Sequence, residues 1–425
     1  FLIPHCNLPT TFAFLNSKEK FLPLRNIEFR YFLSMRSMIT IAFMIQAVVA
    51  GWEIYSITKN PFSLGLIGLA EAIPAISVAL YAGHLADISN KRNILVFAIA
   101  GMFLSSFGLF IVTSSWMRNI NSDMLTVNLM YLFIFITGIA RGFYSPTGTA
   151  FISQIVSREM LSKAATLNST FWQMAAIIGP AAGGFLYAGI SISGALITVL
   201  VLQLLGLFFM LHVKSKPIIQ LNNKEPIAQR LKQGLHFVYQ NKIMLHALTL
   251  DMFSVLFGGA VALLPIFADE ILRVGPQGLG MLRAAPSVGA AITMTWLSFS
   301  KVPGKAGKTL LWAVAGFGTT IILFGLSTNF YLSLFLLFLN GAFDSVSVII
   351  RANIVQLLTP DEMRGRVSAV NTMFIGSSNE LGAFESGVAA KLLGTVTSVV
   401  FGGTVTLLIV GITSLKEKTL KAFDY

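Results

Sequence analysis

The sequence predicts an all-α membrane protein with many spans, and three observations carry that prediction. Hydrophobic residues make up 55% of the 425 and charged residues only 11%, against roughly 25% charged in soluble domains. Twelve apolar runs are each long enough for a membrane helix, which needs about 20 residues. Lys and Arg are concentrated on alternate connections between those runs.

Composition narrows the function classes. A mean hydropathy of +0.76 means that lipid, not water, solvates most of the surface. The 30 Lys and Arg against 18 Asp and Glu give a net charge of +12. In this setting the excess reads as basic cytoplasmic loops, and no nucleic-acid partner is expected. A single cysteine, Cys6, excludes an internal disulfide framework. The five histidines form no ligand-spaced cluster, so no metal is expected. The chain begins at Phe1, and its first apolar patches (12–15 and 21–24) are too short for a secretory signal.

The expected spans, in order, are 32–55, 62–83, 93–114, 125–147, 163–189 and 191–213, then 243–268, 278–299, 309–328, 330–352, 366–390 and 395–415. Span 11 is polar, with Asn371, Ser377, Ser378, Asn379, Glu380, Glu385 and Ser386. Without it the tail carrying Lys416, Lys418 and Lys421 would lie on the side poor in basic residues. It is therefore kept, with its polar face toward protein or a wet cavity. With the N-terminus inside, only Lys59, Arg118, Arg273 and Lys391 fall outside, and Arg36, Arg141, Arg283 and Arg351 fall within spans. The other 22 of 30 basic residues lie on cytoplasmic segments.

This gives a cytoplasmic tail (1–31), a six-helix bundle (32–213), a cytoplasmic linker (214–242), a second bundle (243–415) and a short tail (416–425), with both termini cytoplasmic. In the linker, Leu231, Leu235 and Val238 are spaced for an amphipathic helix along the membrane, with a plain solvated connection as the alternative.

The two halves repeat each other. Gly68-Leu-Ala-Glu71-Ala-Ile-Pro74 matches Gly280-Met-Leu-Arg283-Ala-Ala-Pro286, and Gly138-Ile-Ala-Arg141 matches Gly341-Ala-Phe-Asp344. Gln154 and Asn168 match Gln356 and Asn371. Parallel six-span repeats with a site between them are a transporter architecture. Opposite charges occupy matched positions, and a charge at the bilayer centre costs at least about 2.5–3.5 kcal/mol. The expectation is that Glu71 pairs with Arg283, and Arg141 with Asp344, across the halves. The alternative is pairing within each half.

Loop 2–3 reads Gly83-His-Leu-Ala-Asp87-Ile-Ser-Asn-Lys91-Arg92. Gly83 permits a tight turn and close helix approach. Asp87 at a helix end can face the positive N-terminus of another helix, making a latch that holds one state. The corresponding connection after span 8 (301–308) lacks the Asp, so the latch is one-sided. Span 5 carries Gly179-Pro180-Ala-Ala-Gly183-Gly184, small residues and a bend that suit close packing.

In these motifs the chain resembles the major facilitator superfamily. The loop 2–3 signature is similar to the superfamily's, and the span 5 glycines are similar to its antiporter motif, with Ala175 in place of the usual leading Gly. Arg141 matches its membrane Arg, without the Gln-Gly that usually follows. The runs 262–268, 364–371 and 378–382 resemble the branch that exports siderophores and drugs. The resemblance implies a major facilitator fold of two pseudo-symmetric six-helix bundles and efflux by antiport.

Further candidates for a cavity wall share helix faces. Asp344, Ser347 and Arg351 lie on one face of span 10, and Gln46, Ala50 and Glu53 on one face of span 1. Arg36 and Arg351 sit near span ends, where long side chains can snorkel. Asp251 lies near the inner end of span 7. The run Pro303-Gly-Lys-Ala-Gly307-Lys308-Thr309 imitates a phosphate loop but lacks its first Gly and joins two spans. ATP-driven transport and enzyme chemistry are therefore not expected.

The expected function is export of a siderophore-like or drug-like small molecule across a bacterial cytoplasmic membrane, with the proton gradient as energy source and no cofactor. Glu71, Asp251, Asp344 or Glu380 would exchange a proton for substrate, in a monomer embedded in the lipid bilayer. The alternatives are a proton-coupled importer and a non-transporting receptor or lipid-handling protein.

Overall fold

The computed structural model of the chain describes residues 22–217, 227–299 and 305–424. The first four long helices are α1 (Ile27–Thr58), α2 (Pro61–Ile88), α3 (Lys91–Thr113) and α4 (Asp123–Ile155). Next come α5 (Leu161–Leu211) and the linker helix α6 (Ile227–Gln240). The second half holds α7 (Lys242–Phe257), α8 (Gly275–Phe299), α9 (Ala306–Leu326), α10 (Phe330–Leu358), α11 (Arg364–Leu393) and α12 (Thr395–Lys416). Every predicted span has helix over it. Polar caps set many of the starts. The side chains of Asn26, Asn60, Asn90, Ser122, Asn241 and Asn329 each accept a backbone N–H of the first turn.

Three features go beyond the sequence pattern. Spans 5 and 6 form one continuous element, α5, broken at Ile190 and at Ser191 with φ 63°. Ala164 and Met210 share one apolar cluster, so the two limbs of α5 run antiparallel. Predicted span 7 is interrupted. The α-helix stops at Phe257, and the chain continues as a 3₁₀ turn (Ala260–Leu263), a short helix (Leu264–Ile266) and a π turn (Phe267–Ile271). Gly258 and Gly259 make the break. A Cβ on Gly259 would lie 2.8 Å from the carbonyl oxygen of Gly382, so α11 passes too close for any larger residue. The linker helix α6 does not lie free. Val238 is fully buried against Met244, Leu248, Val367 and Val370, while Leu235 and Tyr239 face outward.

Among the described residues, nine helical stretches are long and apolar enough to cross a membrane, with both limbs of α5 inside one of them. The more polar α8 and α11 are not among the nine. They are also the helices that pack across the two halves, α8 against α5 and α11 against α2. Helices that face protein can carry polar residues that lipid-facing ones cannot.

The apolar clusters show where the halves meet. Two belong to the first half and two to the second. A fifth mixes Val48, Trp52, Tyr55 and Leu64 with Leu263, Phe267, Leu279, Phe324 and Ala390. All of these lie toward one end of the bundle, called here the far end. The opposite end carries the linker helix α6 and is called the linker end.

Candidate transport site

Two helix crossings join the halves, and the internal repeat relates them. On one side, a Cβ on Gly68 would lie 2.9 Å from Ala383 Cβ, and one on Gly387 would lie 2.7 Å from Gly65 Cα. On the other, a Cβ on Gly280 would lie 2.7 Å from Pro180 O, and one on Gly184 would lie 2.9 Å from Gly280 Cα. Gly68 and Gly280 are matched positions of the repeat. Glycine at both lets helix backbones touch. Nearer the linker end, Gln173 Nε2 donates to Ser287 O at 2.8 Å.

Beyond these crossings the far end is fastened by polar contacts. Tyr55 OH donates to Glu270, and Lys59 pairs with Asp269. The Lys59 ammonium also sits 5.3 Å from the Tyr55 ring, and Lys391 sits 4.9 Å from the Phe62 ring across the halves. Lys59 is more than half exposed, so its ion pair carries only about 0.2–1 kcal/mol. Lys59→Glu is expected to slow transport mildly, and adding Asp269→Lys to restore it. Equal rates in the single and double variants would remove this pair from the gate.

The mid-helix charges pair within halves. Arg141 is salt-bridged to Glu71, and its guanidinium lies 4.1 Å from the Phe43 ring. The cause is the α2–α4 crossing, where Gly138 abuts the backbone of Glu71 and Arg141 follows one turn later. In the second half Arg351 Nη1 donates to Asp251 Oδ2 at 2.5 Å, and its Nε donates to Ser347 Oγ at 3.3 Å. Asp251, Ser254, Asp344 and Ser347 line one cleft, and Arg351 is the guanidinium that acts on Asp344. The expected pairs Glu71–Arg283 and Arg141–Asp344 are therefore not formed in this conformation. Across the halves, Arg141 lies close enough to Glu380 of α11 for the two charges to interact, without an ion pair between them. The Glu380 carboxylate lies 3.8 Å from the Cβ position of Gly68 on α2. Arg283 Nε is buried with no acceptor among the described residues.

Two more expectations fail at α1. Gln46 is 4% exposed and sits inside the first half. It donates to Thr137 Oγ1 at 3.3 Å and accepts from Ser106 at 2.5 Å, and Gln203 Nε2 donates to Ser106 at 2.8 Å. Glu53 is 1% exposed. It accepts from Arg118 at 2.8 Å and from Tyr187 OH at 2.5 Å. Neither residue lines the cleft at Arg36 or the one at Asp251. The sequence placed them on one face of a helix but could not show which neighbour that face meets.

The family model for transmembrane secretion effectors matches residues 18–424, nearly the whole chain. The chain belongs to this family. Secretion effectors of this kind are transporters of the major facilitator superfamily, so the protein is a multi-pass membrane transporter. It is similar to the enterobactin exporter EntS of Shigella flexneri, 24% identical over 403 residues and covering 90% of each chain. In fold it is similar to the nucleoside transporter NupG, with a TM-score of 0.71, 12% identity, and 92% and 100% of the two chains covered. A bacterial homologue of the human lysosomal transporter Spinster, solved inward-facing and unoccupied, matches with a TM-score of 0.65 and 12% identity, covering 93% and 96%.

Within this secretion effector the two sequence motifs take different roles. In the antiporter-like motif, Gly179 and Gly183 pack on α1 at Met44 and Ile45, while Pro180 and Gly184 meet α8. The motif thus joins one half internally and seals it to the other. In the loop 2–3 signature, Gly83 lies inside α2 with open space at its Cβ position, so it makes neither a turn nor a close approach here. The Asp87 side chain lies outside the described atoms. Lys91 is buried in the first turn of α3, and Arg92 Nη2 donates to Leu211 O at 2.9 Å. That places a cation on the carbonyl end of α5. The phosphate-loop imitation lies partly in 300–304, outside the described residues.

The sequence reading missed the far-end residues Tyr55, Lys59, Asp269 and Glu270. One signal pointed at them, because Lys59 is a basic residue on a connection otherwise poor in them. The acidic pair is hidden in the sequence because Asp269 and Glu270 directly follow the apolar run of span 7, like the start of an ordinary loop.

Proposed function

We propose that this transporter exports an organic small molecule from the cytoplasm of a bacterium, exchanging it for protons by alternating access. The carrying observation is the single apolar cluster shared by the two halves, which lies at the far end with both glycine crossings. The linker end carries the basic connections, which supports placing it in the cytoplasm, with both termini there. The conformation is then closed outward. The bodies that rock are 32–213 and 243–415, acting in a monomer without a cofactor.

Arg141 supplies a coupling device. It neutralises Glu71 in its own half and acts on Glu380 of the other. A buried carboxylate favours its protonated form, and a nearby guanidinium favours the ionised one. Rocking that separates α11 from α4 removes Arg141 from Glu380, so substrate movement and proton uptake become linked. The export direction is supported by the similarity to an enterobactin exporter and by the glycine-rich crossing of α5.

The test is transport in proteoliposomes under an imposed pH gradient, with a panel of siderophores and drugs. Gradient-driven export is expected to fall about a hundredfold or more in Glu380→Gln, the usual scale for loss of a proton-transferring group, while substrate counterflow persists. Accumulation in the opposite direction would establish the importer reading. No substrate-dependent proton flux would favour a receptor or lipid-handling protein.

A further inference from the structure

The internal repeat sets the α2–α4 crossing of the first half beside the α8–α10 crossing of the second. A Cβ on Gly138 of α4 would meet the Glu71 carbonyl oxygen of α2. A Cβ on Gly341, its match on α10, would meet the Pro286 carbonyl oxygen of α8. Pro286 matches Pro74, three residues past Glu71. A second contact at each crossing agrees in direction. A Cβ on Gly142 would lie 2.9 Å from Ala75 O, whereas one on Gly289, two residues past the match of Ala75, would lie 3.2 Å from Ala342 N, three residues before the match of Gly142. All four helices run from the far end to the linker end. Along α8, then, α10 sits about three residues, or about 4.5 Å, nearer the linker end than α4 does along α2.

That displacement separates one charge pair and not the other. Arg141, one turn after Gly138, meets Glu71. Asp344, one turn after Gly341, is carried away from Arg283, the match of Glu71. Asp344 has no hydrogen bond or ion pair among the described residues and feels Arg351 from beyond contact. Arg283 Nε is buried with no acceptor among the described residues. Both charges therefore stand at a cost in this conformation. The crossing itself can slide. Gly289 and Gly341 put backbone against backbone, without interlocking side chains. Pro286 removes a backbone N–H of α8 at the contact and loosens the helix there. One-turn shifts between packed helices are a recognised form of conformational switch.

We propose that Arg283 and Asp344 close a second intramembrane ion pair when the far end opens. α8 and α10 then slide by about one turn into the register of α2 and α4, and the new pair, matching Glu71–Arg141, stabilises the open state. Arg283 and Asp344 are positioning residues of the transport cycle. This rests on alternating access, and on neither the direction of transport nor proton exchange.

Disulfide trapping of the full chain in nanodiscs tests the slide. A Cβ on Gly142 would lie 3.3 Å from Ala75 Cα. The matched positions Ser345 and Ser287 therefore come within disulfide range in the first-half register and lie about 4.5 Å off it here. Ser287→Cys/Ser345→Cys in a Cys6→Ser background is expected to cross-link slowly under a mild oxidant. Adding Gly280→Leu, at a position whose Cβ would lie 2.7 Å from Pro180 O, wedges the far end open. It should speed the cross-link at least about fivefold, the population shift that overpacking supplies. The ion pair is read separately, by maleimide labelling of Leu64→Cys in the shared apolar cluster, with Gly280→Leu and Cys6→Ser present. Arg283→Met and Asp344→Asn are each expected to slow labelling about fivefold or more, and the double variant no further, since either change alone removes the pair. Full multiplication of the two effects, or no slowing in either, overturns the pair. An unchanged cross-linking rate overturns the slide. If Arg283→Met fails to fold, Asp344→Asn and the cross-link carry the test. Leu64→Cys that stays protected in Gly280→Leu would overturn the opening itself and this inference with it, whereas fast labelling without the cross-link removes only this inference.

Discussion

Gly280→Leu is expected to hold the two halves apart at the far end and to cut transport by more than about tenfold. A Cβ there would already lie 2.7 Å from Pro180 O and 3.0 Å from Ala181 O, both backbone atoms that no rotamer change can move. Relief requires α5 and α8 to separate, and overpacking of this kind costs about 1–3 kcal/mol. The cost falls on the outward-closed state alone, so the variant favours an open far end. Labelling by an impermeant maleimide reads this directly. Leu64 is 4% exposed in the shared cluster, so Leu64→Cys in a Cys6→Ser background is expected to react slowly, and fast when Gly280→Leu is added. Gly51→Ala is the matched control, because a Cβ at Gly51 meets nothing within 4 Å. If Gly280→Leu transports normally and Leu64→Cys stays protected, the seal lies elsewhere.

Arg351→Met is expected to be the most destabilising single substitution among the buried charges. It leaves Asp251, buried and bonded to Arg351 at 2.5 Å, without its partner, and Asp344 in the same cleft without its cation. Removing one member of a buried pair typically costs about 3–5 kcal/mol, whereas replacing both by apolar residues is often close to neutral. Thermal unfolding of the purified protein should therefore show a large fall in Tm for Arg351→Met. Most of it should return in Asp251→Leu/Arg351→Met. Transport is expected to stay low in the double variant if this cleft also carries chemistry. A single variant as stable as the parent would mean that the pair contributes nothing to the folded state.

The corrected charge pairs show how far a sequence repeat can be taken. Matched positions of opposite sign do identify Glu71, Arg141, Arg283 and Asp344 as special. They do not say which helices adjoin. Gly138 against the backbone of Glu71 brings α2 and α4 together, and Gly341 against Pro286 does the same for α8 and α10. The first crossing closes a Glu71–Arg141 pair. In the second half, Asp251 of α7 pairs with Arg351 of α10, and Arg351 also acts on Asp344, while Arg283 Nε has no acceptor among the described residues. An added acid–base pair, Asp251 and Arg351, thus breaks the symmetry that the repeat suggested.

Charge scarcity, run length and the loop asymmetry of Lys and Arg determined the class of protein, the helix positions and the division into halves, because lipid imposes these on any chain that enters it. Asn and Ser caps fixed many of the helix starts for the same local reason. Only the tertiary structure decided that span 7 breaks at Gly258 and Gly259, that Gln46 and Glu53 serve the interior of one bundle, and that the halves meet at the far end. Those outcomes depend on which backbone lies against which. In a bundle full of small residues, contact between distant helices is set by shape rather than by any pattern along the chain.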